Sequence, residues 1–214
     1  MATGTMSAAI DLALDDIDEQ VTLMFAKVRT ALASVTAAFL DCDREAALAL
    51  VADDQAVDGL QQSIERSIRS RLAAPSPLDE AELSRLLSVL LIAAALERGG
   101  DVVGRIASRT PQGLARVVTA PVRTLVAEMG RVDLDLWAKV AQAHVERDAG
   151  IASGLELLHS EMARMGTDLL AELGRASAST VVTVEMKHVV GCYQRLGDLA
   201  VDVAEEIRHG GWAG

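Results

Sequence analysis

Apolar residues recur at steps of three and four along residues 10–39 of this 214-residue chain, and the pattern returns in its second half. Such spacing places one apolar stripe along a helix of about 30 residues. Met129 lies 105 residues after Met24, and at that offset residues 145–148 fall on residues 40–43 without a gap. A repeat of this length indicates a duplicated three-helix unit. The two stripes are Ile10, Leu14, Ile17, Val21, Met24, Val28, Ala31, Val35 and Phe39, then Val122, Val126, Met129, Val132, Leu136 and Val140.

Four prolines divide this helical pattern, because proline cannot continue a helix and restricts the residue before it. Pro75 and Pro77 end the second helix, Pro111 follows the third, and Pro121 suits the first turn of the fourth. The expected fold is therefore all-α, with two tandem antiparallel three-helix bundles at residues 1–110 and 111–214. The predicted helices are residues 10–39, 44–72 and 79–108, a fourth from Pro121, a fifth ending near Leu173, and a sixth over 182–207.

Composition excludes several classes of function. The net charge is −11, and no Lys/Arg cluster is interleaved with aromatic residues, so nucleic acid is not an expected partner. Cys42 and Cys192 are far apart, which suits reduced cytosolic thiols, and the N-terminus lacks the basic region of a signal peptide. The apolar run over residues 83–96 is shorter than the ~20 residues of a membrane span, so we interpret it as a buried core helix. The expected location is the cytoplasm.

Two pairs of acids carry the candidate chemistry. Asp54 and Asp58 are four residues apart in the second helix, as are Glu97 and Asp101 in the third, so each pair shares one helix face. A turn at Pro77 makes these helices antiparallel, which sets Asp58 opposite Glu97 and Asp54 opposite Asp101. Four carboxylates this close repel one another unless they are protonated or bind cations.

A metal is the simpler resolution. Carboxylates that project from facing helices hold iron or manganese in other bundles. Glu97 and Asp101 extend the row Leu83, Leu87, Leu90 and Ala94, so we expect them to face neighbouring helices rather than water. Two simpler interpretations remain: each pair is a solvated helix face, or Gly99 and Gly100 end one helix and Asp101 caps another.

At these residues the chain resembles the PhoU family. Residues 96–107, Leu-Glu-Arg-Gly-Gly-Asp-Val-Val-Gly-Arg-Ile-Ala, are similar to the third-helix signature of that family, and Asp54 and Asp58 match its second-helix acidic motif. The resemblance implies multinuclear metal clusters, with iron as the first choice and manganese, zinc or magnesium as alternatives. It also implies a non-enzymatic regulator that links a phosphate ABC transporter to its sensor histidine kinase. Such a regulator self-associates, here as a homodimer, and meets the membrane only peripherally through its partners.

The second half departs from that signature. Gln194 stands where the family has Glu, and the repeat offset places His159 and Ala163 where two acids would stand. Folding the fifth and sixth helices about Ser177 brings Glu156 opposite Asp198, with His159 beside them. The hypothesis is a rebuilt metal site of Glu156, His159 and Asp198.

Two other functions stay open. Glu-x-x-His occurs three times and is the ligand motif of ferritin-like di-iron carboxylate oxidases, although such a pair usually makes only a surface contact. A metal-free helical scaffold is the third possibility, in which the acids are solvated and apolar faces bind a partner. The three pairs are Glu156 with His159, Glu185 with His188, and Glu206 with His209.

Overall fold

Every regular element in the described part of the chain is helical, which confirms the all-α prediction. The computed structural model describes the backbone of residues 2–53, 55–148, 150–151 and 154–210, with side chains from residue 14 onward except that of Asp53. The helices are α1 (Ala2–Asp41), α2 (Arg44–Asp53), α3 (Gln55–Ala73), α4 (Glu80–Ala107), α5 (Leu114–Val117), α6 (Ala120–Glu146), α7 (Leu155–Arg175) and α8 (Thr180–His209).

Local side-chain chemistry sets the helix ends. The Asp79 carboxylate accepts a hydrogen bond from the Glu82 N–H at 2.7 Å and caps α4, and the Ser179 hydroxyl caps α8 in the same way. A 3₁₀ turn at Thr110–Gln112 and the four-residue α5 join α4 to α6, with Gly113 between them at φ 68°. The sequence did not predict these two short elements, because they are too short to show periodicity.

The ends of α1 and α6 share the same backbone turn at the offset of the predicted internal repeat. Cys42 and Arg147 are equivalent at the 105-residue offset, and both adopt left-handed conformations, with φ of 55° and 54°. The next residue closes the same turn in each half, because the N–H of Asp43 donates to the Ala38 carbonyl at 2.8 Å and that of Asp148 donates to the Ala143 carbonyl at 3.1 Å. This hydrogen bond is the Schellman closure of a helix C-terminus. The two halves therefore share a backbone turn as well as an apolar pattern.

Helices from both halves contribute to one apolar core. α1 packs against α6 and α4 packs against α8, while α3 and α7 flank the centre of the molecule. Trp137 of α6 is fully buried and meets Phe25 of α1 edge to face, with ring centroids 6.3 Å apart. Residues Leu14–Asp41 have the length and hydropathy of a membrane span, and a core helix has the same properties. The division into units 1–110 and 111–214 stays a prediction.

Polar side chains join α1 to the helices around it. Asp18 of α1 binds Arg85 of α4 and, at 3.0 Å, Arg147 at the end of α6. Further along α1, the Thr36 hydroxyl lies 3.0 Å from the hydroxyl of Tyr193 on α8, which is fully buried. The Asp18 ion pairs are charge-assisted and therefore stronger than the neutral hydrogen bond between Thr36 and Tyr193. They fix α1 at the centre of the fold.

The sequence interpretation of residues 83–96 as a buried core helix is wrong on one face of α4. Leu83, Leu87 and Leu91 are exposed, although Leu86, Val89 and Ile92 on the same helix are buried. The run is apolar around most of the helix, and the fold supplies neighbours for only part of that circumference.

Gly130 of α6 is needed for the close approach of α1. A Cβ atom at Gly130 would lie 2.6 Å from the Thr36 Oγ1 atom and 2.7 Å from its Cγ2 atom. Thr36 is β-branched and stiff at χ1, so it cannot easily move away. We expect Gly130→Ala to lower the free energy of unfolding by about 1–3 kcal/mol, measured by urea denaturation.

Gly59→Ala is the matched control, because Gly59 lies within α3 and an added Cβ would meet nothing within 4 Å. That change should raise stability by about 0.5–1 kcal/mol through helix propensity alone. Adding Thr36→Ala to Gly130→Ala should restore part of the loss. Equal effects of the two single changes would contradict the close approach.

Candidate functional site

The hairpin of α3 and α4 carries three of the four first-half acids, namely Asp58, Glu97 and Asp101. Near its turn, the Arg71 guanidinium binds both oxygens of Glu82, with Nε to Oε1 at 2.7 Å and Nη2 to Oε2 at 2.8 Å. Both side chains are largely buried, and Arg71 also donates to the Ser76 carbonyl. A bidentate ion pair of this kind stabilises the contact between the two helices and also fixes their relative orientation. The predicted antiparallel hairpin at Pro77 is therefore confirmed.

The acids lie on this hairpin, but they are more exposed than expected. Asp58 of α3 and Glu97 of α4 are half-buried. The Asp101 side chain is 46% exposed and lies 3.9 Å from Arg105 on the next turn of α4. Asp101 is thus partly open to solvent, whereas the sequence analysis expected it to face a neighbouring helix. Asp54 lies outside the described residues.

No group of three His, Cys, Asp or Glu side chains within the described ranges is arranged to hold a metal ion. Asp58, Glu97 and Asp101 therefore do not form a complete ligand set by themselves, and the convergence with Asp54 stays a prediction. Their donor chemistry is suitable, because carboxylate oxygens bind iron, manganese and magnesium.

The second half brings together two of its three predicted residues. His159 of α7 places its Nε2 atom 2.7 Å from Oδ1 of Asp198 on α8, and Arg195 lies 3.8 Å from the other oxygen of Asp198. Glu156 is exposed in the first turn of α7. Folding the helices about Ser177 predicted Glu156 opposite Asp198, but in the structure His159 lies there instead. The shift of about one turn follows from the register of α7 against α8.

Asp133 is a buried acid that the sequence analysis missed. It lies on α6, is fully buried, and has no hydrogen-bond partner for either carboxylate oxygen within the described residues. A Cβ atom at Gly197 would lie 3.4 Å from Asp133 Oδ1 and 3.6 Å from His159 Cδ2. Asp133 thus lies beneath the pair of His159 and Asp198. Burial first, and the charge of Asp198 second, raise the pKa of Asp133 well above its usual value.

The repeat could have revealed this residue. At the 105-residue offset Asp133 is equivalent to Val28, which is a fully buried member of the first apolar stripe. An acid at a position that the other half fills with valine indicates a buried carboxyl group. The second stripe was traced only through apolar residues, so Asp133 was passed over.

Replacing Asp133 with the residue of the other half tests its environment. We expect Asp133→Val to raise the free energy of unfolding at pH 7 by about 1–3 kcal/mol, because it removes an unpartnered buried polar group. The pKa of Asp133 is raised in the folded state, so wild-type stability is highest below the unfolded-state pKa and falls as the pH rises through the folded-state pKa. The gain should therefore grow above about pH 4, measured by thermal unfolding from pH 4 to 8.

Asp133→Asn is the control, since it keeps a polar group of the same size but does not titrate. It should remove the pH dependence and recover less stability at low pH than Asp133→Val. A wild-type stability that rises from pH 4 to 8 relative to both variants would show that the carboxylate has a favourable charged partner.

The three Glu-x-x-His pairs do not converge. His159 binds Asp198, Glu185 lies 3.4 Å from Arg109, and Glu206 accepts a hydrogen bond from Ser88. Glu185 and Glu206 are 21 residues apart on α8, which corresponds to about 30 Å along the helix. The ligand arrangement of a ferritin-like di-iron centre is therefore not formed by these pairs.

Comparison with known proteins agrees with this geometry. A family model described as the PhoU domain matches residues 21–110, the part of the chain that carries the acidic hairpin. A protein of Xylella fastidiosa named phosphate-specific transport system accessory protein PhoU homolog is 25% identical over 201 residues, which is 90% of this chain and 82% of that protein. The homolog 1 of Mycobacterium leprae is 26% identical over 216 residues and covers 94% and 92%. Residues 21–110 thus match the PhoU domain, and the chain is similar to PhoU homologs along most of its length.

Solved PhoU structures share the fold over nearly the whole chain. The crystal structure of PhoU from Pseudomonas aeruginosa gives a TM-score of 0.85 at 19% identity and covers 94% of this chain and 97% of that one. The regulatory protein PhoU from Streptococcus pneumoniae gives 0.83 at 20% identity, with coverage of 94% and 95%. The family-model match ends at residue 110, but both solved structures cover 94% of this chain, so the second half shares their fold.

Proposed function

We propose that this chain is a non-enzymatic regulatory adaptor of bacterial phosphate uptake and phosphate-responsive signalling. The observation that carries the proposal is similarity along most of the chain, because the relatives named as accessory proteins of phosphate-specific transport match 90% and 94% of its length. An accessory role fits a molecule whose candidate site is a partly exposed acidic hairpin rather than an enclosed catalytic pocket.

The α3–α4 hairpin is the proposed metal site. Asp54, Asp58, Glu97 and Asp101 would hold a multinuclear cluster, with iron preferred and manganese, zinc or magnesium as alternatives. Support comes from the hairpin geometry, because the Arg71–Glu82 pair holds the two helices antiparallel. A bound cation would neutralise acids on both helices and so link them at the end opposite the turn.

A second cation site is proposed at Glu156, His159 and Asp198. Two of these side chains already touch, so a cation there would replace the His159–Asp198 hydrogen bond with bonds from both side chains. Imidazole and carboxylate together suit iron, manganese or zinc.

The proposed partners are a phosphate ABC transporter and a sensor histidine kinase in the cytoplasm, with a second copy of the chain as a homodimer. The net charge of −11 argues against nucleic acid and favours basic protein surfaces. Contact with the membrane would then be peripheral and would depend on these partners.

Charge-neutral changes test the first metal site. We expect Asp58→Asn with Glu97→Gln to reduce metal affinity by more than roughly 100-fold. Loss of a residue that only supports a ligand costs roughly 10–100-fold, and this variant loses two proposed ligands. Elemental mass spectrometry of the purified protein measures the metal. Phosphate-responsive transcription should change in cells that carry the variant, while circular dichroism stays nearly constant.

Glu128→Gln with Asp135→Asn is the matched control, since these acids flank Arg131 on the surface of α6 at 2.9 Å each. This pair should keep both metal and regulation. A metal-free Asp58/Glu97 variant with normal regulation would reduce the cluster to a structural role.

The second site needs a background without the first. In the Asp58→Asn, Glu97→Gln protein, adding Glu156→Ala and His159→Ala should remove the remaining metal, because only Asp198 would be left of the proposed ligands. Unchanged residual metal by the same elemental measurement would reject the second-half site.

A further inference from the structure

One face of α4 carries large apolar side chains that no element covers in the part of the chain that the structure describes. Leu83, Leu87 and Leu91 are 40%, 50% and 51% exposed, and they follow one another at intervals of four residues. This spacing aligns them along the helix over about 12 Å. Single exposed leucines are ordinary on protein surfaces, but a row at helical spacing is the pattern of an interface. We call this row the leucine row.

A groove between α4 and α8 adjoins the leucine row. Leu91 and Ala95 of α4 and Val203 of α8 form its apolar lining, and the cavity measures about 190 Å³. Asp202 and Glu205 rise from α8 beside it. The groove and the row together offer an apolar strip whose α8 side is bounded by carboxylates.

The charges along this strip are mainly negative. Asp202 is exposed, and Glu206 accepts a hydrogen bond at 3.3 Å from Ser88, which is buried between α4 and α8. Glu205 lies 3.6 Å from Arg208, and both are about half exposed. Arg98 is the cationic side chain that lines the groove. The groove lining, called the acidic wall below, therefore carries three carboxylates and one guanidinium, and the Arg208 guanidinium lies beside one of those carboxylates.

We propose that the leucine row and the α4–α8 groove bind an amphipathic helix of a partner protein, with apolar residues over the leucines and Lys or Arg residues over the acids of α8. A helix with anchors at steps of three and four fits a strip of this shape, since two helices pack side by side through such rows. The acidic wall selects a basic flank and disfavours an anionic lipid surface.

This surface deepens the proposed adaptor role, because an adaptor requires a place to hold its partner. The binding itself does not depend on a metal. Glu97 follows Leu91 by six residues on α4, so the partner surface and the proposed metal site share one helix. The binding test below and the transcription test of the Asp58 and Glu97 variant are independent measurements. Failure of the first would reject this surface, and failure of the second would reject the role of the metal site.

The test uses the full chain and a synthetic fluorescent helix with Leu at steps of three and four and Lys along one flank. Fluorescence anisotropy measures its dissociation constant. We expect Leu87→Ser with Leu91→Ser to weaken binding roughly tenfold or more, because anchors at the centre of an interface dominate its energy. Leu157→Ser with Val181→Ser is the matched control, since these side chains are 79% and 72% exposed and lie outside the strip, and it should bind as the wild type does.

The sign of the charge gives a second, independent measurement. Asp202→Lys with Glu205→Lys should weaken binding of the Lys helix and strengthen binding of an otherwise identical Glu helix. Arg98→Glu should strengthen binding of the Lys helix. These surface changes leave the buried core intact, so thermal unfolding should show nearly constant stability.

Three results would overturn the proposal. The first is equal loss in the leucine and control variants, and the second is equal binding of the Lys and Glu helices. The third is a different occupant of the same row. Sedimentation with phosphatidylglycerol vesicles that requires Leu87 and Leu91 would show a lipid surface, and a homodimer that the leucine variant dissociates would show a second copy.

Discussion

The close approach of α1 and α6 is the constraint on which the rest of the molecule depends. Gly130 leaves room for Thr36, and Thr36 in turn reaches the buried hydroxyl of Tyr193 on α8. Two helices from different halves and a third from the far end of the chain therefore meet at one point. The α3–α4 and α7–α8 hairpins pack around this centre, so the positions of both candidate sites follow from it.

The long helices could be predicted from the sequence because their signals are local and repeated. Proline at 75, 77 and 121 and a stripe every three to four residues place most helix ends within a few residues. The start of α1 is the exception, since that helix begins at Ala2 and the stripe begins at residue 10. The exposure of Leu83 and Leu87 could not be predicted in this way. Periodicity shows which face of a helix is apolar, but whether a neighbour covers that face is a tertiary property. The 3₁₀ turn at 110–112 and α5 were not predicted, because elements of three and four residues are too short to show a repeating apolar pattern.

In the candidate sites, too, local features could be predicted and features that depend on tertiary packing could not. The hairpin at Pro77 was predictable, because a short proline turn between two amphipathic helices leaves few alternatives to antiparallel packing. Reflection about a turn is accurate to about one helical turn, so it found His159 and Asp198 but misplaced Glu156. It also could not reveal that the Asp101 side chain is partly exposed, because exposure depends on side-chain direction. Asp133 was missed because a stripe of apolar residues contains no acid by construction.

The two halves share a backbone turn, but the residues on equivalent helix faces differ. Cys42 and Arg147 share a left-handed conformation although their side chains have nothing in common, since the turn requires only a backbone geometry and its hydrogen bonds. On the helix faces, by contrast, Val28 is matched by Asp133. A buried carboxyl without a partner costs stability, so packing alone does not explain it. Asp133 lies beside the pair of His159 and Asp198, and the charge of Asp198 acts on the buried carboxyl group of Asp133. The buried acid of the second half is therefore coupled to the pair of polar residues at its surface. The fold can therefore stay constant across the repeat while the chemistry of each half differs.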